Sequence, residues 1–216
     1  MPKFQNIYGN REGELGSWGS LMDTPSNFDP SDFFNTGMTE MNGFTLTTGT
    51  EQNQTYASVS TTNSTGILPN NAYNRYNFSI RNTAKFCDNK LSLDLGAQYI
   101  IQNNKNMVGS GQYFNPLVSL YLFPRGENFQ EVQMYERYSE ARNLMVQYWP
   151  ESIFGTDLDM QNPYWIMNRM QNELSKRRYM FNASLKWDIT DWVNVTGRVR
   201  VDNSDSDSYE KYYAST

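Results

Sequence analysis

The side chains able to do covalent or acid–base chemistry are few. The 216-residue chain has no histidine and one cysteine, Cys87. That removes serine–histidine and cysteine–histidine nucleophiles, and with them the commonest transition-metal ligand. A single cysteine makes no disulfide within the chain and no cysteine-based zinc site. Carboxylates remain. Glu127 and Glu131, and Glu136 and Glu140, are spaced one helical turn apart. A glycosidase needs two carboxylates facing each other across a cleft, so neighbours along one helix read as a solvated surface. Asp202, Asp205 and Asp207 bunch together in DNSDSDSYE. They lack the glycine and closing glutamate of an EF-hand loop and read as loop. No catalytic residue, no metal site and no cofactor is expected.

Recognition chemistry is better supplied. Trp18, Tyr113, Phe114, Trp149, Tyr164 and Trp165 fall in the long loops, all but Trp149 in segments rich in Gly, Pro and Asn (GSWGS, VGSGQYFNP, MQNPYW). Such rings either stack on a sugar-like substrate or pack long loops into a small core of their own. Arg75, Arg81, Lys186, Arg198 and Arg200 recur on the polar side of alternating runs. They are placed to touch a polar substrate or to pair with Asp94, Asp188 or Asp202. The net charge of −5 disfavours a nucleic-acid partner, which calls for a basic patch.

The elements that hold these residues are strands. From Tyr179 to Asp202 the chain alternates strictly, with Phe181, Ala183, Leu185 and Trp187 on one side and Asn182, Ser184 and Lys186 on the other. After a turn at Thr190-Asp191, Val193, Val195, Val199 and Val201 face one way and Arg198 and Arg200 the other. Period-two alternation over adjacent runs marks an antiparallel hairpin. Two more hairpins are predicted within 43–102. One joins Phe44–Gly49 to Thr55–Thr62, and the other joins Arg75–Asn82 to Leu91–Gln102. Residues 1–42 read as a loop region, 103–178 as a long loop, and 203–216 as the start of another. Inside the long loop, Phe129, Val132, Tyr135, Tyr138, Ala141, Met145 and Tyr148 recur at three- and four-residue steps. That spacing predicts a helix over about 127–149.

Two readings fit an all-β chain of this kind. One is a segment of an antiparallel transmembrane β-barrel, with apolar residues facing lipid and polar ones facing a wet lumen. The other is a secreted, soluble all-β carbohydrate-binding module, whose apolar face is sealed against a second sheet. Several features favour the barrel. Aromatics reach 15% while mean hydropathy is −0.72, as expected where only alternate strand residues are apolar. Turns within the hairpins are short and links between them long, so the long loops gather at one end of the sheet. No run of about 18 apolar residues offers a transmembrane helix. Met1 is followed by PKFQNIYGN, without the apolar stretch of a signal peptide. If exported, the chain is expected to be a mature or internal piece.

A family resemblance adds to this. GSWG (Gly16 to Gly19), FFNTG (Phe33 to Gly37), TEQNQTYASVSTTNSTGILPNN (Thr50 to Asn71), RYNF (Arg75 to Phe78), NPLVSLYLFPRG (Asn115 to Gly126), MQNPYW (Met160 to Trp165) and NVTGRVRVDN (Asn194 to Asn203) run in order along the chain. In these the chain resembles the SusC/RagA group of TonB-dependent outer-membrane transporters. The resemblance implies about six strands, roughly the second to seventh, of the family's 22-stranded barrel, with long extracellular loops. Family members also carry a plug domain and a TonB-box region, which are not recognisable in this chain. It further implies residence in the cell outer membrane and contact with its lipid. A SusD-like surface lipoprotein would cap the barrel, and the TonB complex would act through the plug. The implied cargo is an oligosaccharide or a peptide, with Arg75, Arg81, Lys186, Arg198 and Arg200 lining the lumen.

Overall fold

The computed structural model describes residues 29–123, 129–148, 160–214 and 216. Six long strands form one antiparallel sheet: β1 (Met38–Gly49), β2 (Asn53–Thr65), β3 (Ala72–Phe86), β4 (Leu91–Lys105), β7 (Met170–Thr190) and β8 (Val193–Tyr212). They lie side by side in the order β1-β2-β3-β4-β7-β8. Between β4 and β7 come α1 (Pro116–Leu122), α2 (Phe129–Val132), a small separate hairpin of β5 (Glu136–Ser139) and β6 (Leu144–Gln147), and α3 (Pro163–Arg169). The sheet is open, and among the described residues the outer edges of β1 and β8 have no strand partner.

Short turns close one end of the sheet. Gly49 leaves β1 at φ 148°, where a Cβ would sit 2.1 Å from the Asn53 carbonyl oxygen. Thr50 Oγ1 then accepts from the Asn53 amide at 3.2 Å. Between β3 and β4, Cys87, Asp88 and Asn89 all take left-handed angles (φ 53°, 53° and 67°), which suit the short polar side chains of Asn and Asp. Cys87 is a turn residue. At the β7–β8 turn, Thr190 Oγ1 accepts from the Val193 amide at 3.1 Å. The links at the opposite end are 66–71 and 106–169. The asymmetry expected from the sequence is therefore present, although the first of these links is shorter than the dozen or so residues expected.

The buried core lies beyond the long-link end of the sheet, not on either face. Phe33, Leu120, Phe129, Val132, Trp165 and Ile166 pack there into a cap built from the connecting segments. Asn162 organises it. Fully buried, its Oδ1 accepts from the amides of Tyr164 (2.8 Å) and Trp165 (3.4 Å), capping α3. Its Nδ2 donates to the carbonyls of Val132 (2.8 Å) and Tyr148 (3.0 Å). Pro163 follows at the first helical position, where its missing N–H costs nothing. One side chain thus joins α3 to both α2 and the end of β6.

Several expectations are corrected. The helix expected over about 127–149 is not formed in 129–148. Only Phe129–Val132 is helical, and β5 and β6 form a hairpin turned at Asn143 (φ 52°). Tyr138 and Met145 are cross-strand partners. Their separation of seven residues coincides with two helical turns, which is why the pattern reads as a helix. The strands also outrun their expected limits. β1 starts at Met38, inside the segment expected to be loop up to 42. β7 begins at Met170, and β8 continues to Tyr212. The stretches 170–178 and 203–212 are therefore strand, paired to one another throughout, and Asp205 and Asp207 stand on a strand rather than in a loop.

Candidate functional site

The register sorts the sheet into two unlike faces. One carries rows such as Phe44, Val59, Phe78, Tyr99 and Tyr179, and then Leu46, Ala57, Ile80, Ala97, Phe181 and Val201. Further toward the turns come Leu93 with Leu185, then Phe86, Leu91, Trp187 and Val195. At the other limit, the row Glu40, Asn63, Asn74, Asn103, Ser175 and Asp207 is polar on every strand. The apolar band therefore has two borders. Aromatic rings mark both: Tyr76, Phe78, Tyr99 and Tyr179 at one, and Phe86, Trp187 and Trp192 at the other. The band is open to its surroundings, with Val199 62%, Trp187 53% and Trp192 85% exposed. Asn82, the polar intruder, donates to Asn53 Oδ1 (2.7 Å) and Thr55 Oγ1 (2.8 Å) beside it.

The opposite face is polar and is the better covered of the two. Along β7, Lys176, Arg178 and Met180 are half-buried while Tyr179 and Phe181, between and beside them, are exposed. Gly96 on this face is buried against Asn182, whose Oδ1 would lie 2.4 Å from a Cβ at 96. The absence of a side chain lets Asn182 lie across β4. Tyr56, Arg81, Gln98, Asn182 and Arg200 surround a trough of about 830 Å³. Hydrogen bonds run across the strands beneath it, from Ser58 to Ser79 (2.7 Å) and from Gln98 to Asn77 (2.8 Å).

All five cations expected on the polar side lie on this one face. Arg81 forms a forked ion pair with Asp94. Lys186 pairs with Asp188 at 2.8 Å along its own strand. Asp202 is held chiefly by Arg178, at 2.8 and 2.6 Å, with Arg200 at 3.8 Å. Arg178 was missed by the sequence reading, because it precedes the expected strand start. Arg75 and Arg198 make no ion pair among the described residues. Compared with known proteins, the chain matches no family model and no curated sequence.

The loop aromatics divide. Trp18 and Trp149 lie outside the described residues. Tyr113 and Phe114 pack edge to face at 5.0 Å, with Phe114 exposed. Tyr164 is half-buried between Phe33 (4.9 Å) and Phe129 (6.0 Å), and burial raises its phenol above the ordinary range. Trp165 is a correction. It has no exposed surface, and its Nε1 donates to Thr216 Oγ1 at 3.1 Å, so it fills the cap and offers no ring face for stacking. The carboxylate pairs also resolve. Glu136 stands on β5 and grips Arg169 through two bonds of 2.6 Å. Those bonds hold the guanidinium further above its ordinary value, while the Tyr213 ring lies 4.6 Å from it. Glu127 lies outside the described residues. Among the described residues no three His, Cys, Asp or Glu side chains converge on a metal-sized site.

Chemically, the polar face is a bed of donors and acceptors. Its carboxylates at 94, 188 and 202 are engaged by cations. The arrangement suits weak, repeated hydrogen bonding to a hydroxyl- or amide-rich molecule.

Proposed function

We propose that this chain is a barrel segment of a TonB-dependent outer-membrane importer of the SusC/RagA kind. Its apolar face meets lipid, its polar face lines the lumen, and its cap stands on the outside. The observation that carries the reading is the bordered apolar band. From Leu91 to Ile101 it spans ten residue steps, about 34 Å along the strand at ~3.4 Å each. At a strand tilt of ~35–45° the band is about 24–28 Å tall, against the ~25 Å apolar belt of transmembrane barrels. Aromatic borders at both limits match the girdles of such barrels. A soluble sandwich would lay a second sheet over this band, and among the described residues nothing covers it. An apolar face this wide is costly in water.

On this reading no chemistry is catalysed. The strands continue into a larger closed barrel, 22-stranded in the family. A SusD-like lipoprotein meets the cap, and the TonB complex supplies energy through a plug. Cargo, an oligosaccharide or peptide, passes over Arg75, Arg81, Lys186, Arg198 and Arg200. The test uses the full chain refolded with phospholipid vesicles. Lipids brominated on their acyl chains should quench the emission of Trp187 and Trp192, and the quenching should vanish when both are changed to Phe. A chain that stays monomeric in water and is not quenched sinks the proposal and favours the soluble carbohydrate-binding module.

A further inference from the structure

A second cavity, separate from the trough, bears on the nature of the cargo. It holds about 230 Å³ and lies where the polar face of β8 runs up into the cap. Its floor is apolar, formed by Ile166, Met167 and Met170, all buried. Its rim carries Phe114 and Tyr212, both exposed, with ring centroids 5.9 Å apart. Tyr212 donates its hydroxyl to Glu210 Oε2 at 2.9 Å. The second carboxylate oxygen has no partner among the described residues. Glu210 and Tyr212 share the strand face that carries Arg198 and Arg200 below, so the cavity and the trough belong to the same side of the sheet.

Its chemistry is selective. No lysine or arginine lines it, and its one charge is negative. Anionic ligands are therefore disfavoured. The volume is below the ~300–1,000 Å³ of clefts that enclose drug-sized molecules, so one ring of a longer ligand fits rather than the whole. Two aromatic rings beside a free carboxylate oxygen offer an apolar ring face something to rest on and a hydroxyl something to bind. Its wall includes Glu210 and Tyr212 of the edge strand β8, so a peptide added along that edge is the competing occupant; two rings and a carboxylate converging on a space of one ring's size favour a sugar unit over it.

We propose that this cavity binds one neutral, hexose-sized sugar unit of the cargo. The ring lies against Phe114 and Tyr212, and a hydroxyl donates to Glu210. The inference deepens the importer reading and rests on it only for the word cargo, since binding can be measured whether or not the chain enters a membrane.

The test is saturation-transfer NMR on the full chain in detergent. The probes are the methyl glycosides of glucose, galactose and mannose, with glucuronic acid and N-acetyl-lysine amide for comparison. At least one neutral glycoside should receive saturation. Phe114→Ala should weaken its binding about three- to tenfold, the worth of one aromatic contact. Glu210→Gln should weaken it about tenfold, the loss of a charge-assisted bond. Met134→Ala, on the exposed cap surface away from the cavity lining, should leave it unchanged. The site is overturned if none of the three glycosides binds, if binding survives Phe114→Ala, or if either comparison ligand binds more tightly. Vesicle quenching without glycoside binding would remove this site and leave the importer reading standing. Glycoside binding by a chain that stays monomeric in water and is not quenched would do the reverse.

Discussion

Replacing Ala97 with arginine sets a charge near the middle of the apolar band. Ala97 lies six residue steps from Leu91 and four from Ile101, flanked across the strands by Ile80 and Phe181. Its side chain is exposed and small, so the substitution removes little packing and reports mainly the cost of the charge. In hydrocarbon that cost is about 2–4 kcal/mol at the midplane of a barrel. At ~1.4 kcal/mol per tenfold, the folded-to-unfolded ratio falls by about 30- to 700-fold. The comparison is the next residue. Gln98→Arg puts the same side chain on the opposite, polar face and forfeits the 2.8 Å bond to Asn77, a loss of about 0.5–1.5 kcal/mol. Urea midpoints of the two variants, refolded with phospholipid vesicles, give the answer. Ala97→Arg must be the more damaging. Equal midpoints, or the reverse order, refute the assignment of these faces. In a soluble protein an exposed Ala→Arg change is worth no more than about 0.5 kcal/mol.

Further outcomes follow from the cap and the trough. Asn162→Ala removes a helix cap and strands the buried carbonyl of Val132 and the half-buried Tyr148 carbonyl. A loss of about 3 kcal/mol or more is expected, read as a lower thermal midpoint followed through the buried Trp165. Arg169→Gln breaks the two 2.6 Å bonds to Glu136 and leaves a half-buried carboxylate unpaired. About 2 kcal/mol of cap stability should go, with faster amide exchange in β5 and β6 as the readout. Gly96→Val brings a side chain within 2.4 Å of Asn182 Oδ1 and should cost about 1–2 kcal/mol. Adding Asn182→Ala should recover most of that in a double-mutant cycle.

The parts legible in sequence were those with a one-sided environment. Where Phe181, Ala183 and Leu185 alternate with Asn182 and Ser184, the period is visible and the strand is found. Apart from Met170, Leu174, Tyr209 and Tyr212, the extensions 170–178 and 203–212 are polar on both faces, as in Ser175 and Lys176 or Asp205 and Ser206. With no apolar alternation left, their strand character is carried by cross-strand pairing alone, which no single segment reveals. The cap hairpin failed for the opposite reason, because a cross-strand spacing imitated a helical one. All five polar-face cations could be assigned from parity. Their partners could not, because Asp202 is gripped by Arg178 of β7, at a register the sequence does not display. Phe114 was legible as a loop aromatic, but Glu210 and Tyr212 became candidates only once β8 was seen to reach the cap.

The upper parts of β7 and β8 act as a spacer. From the border at Arg177 to Met170 there are seven residue steps, about 24 Å of strand at ~3.4 Å each, or roughly 17–20 Å of height at barrel tilt. On the importer reading, the cap is held on stilts above the headgroups. Its connecting segments are then free to vary in length and composition without altering the fit between band and hydrocarbon. Selection on what is captured and selection on how the wall sits in the bilayer would act on separate residues.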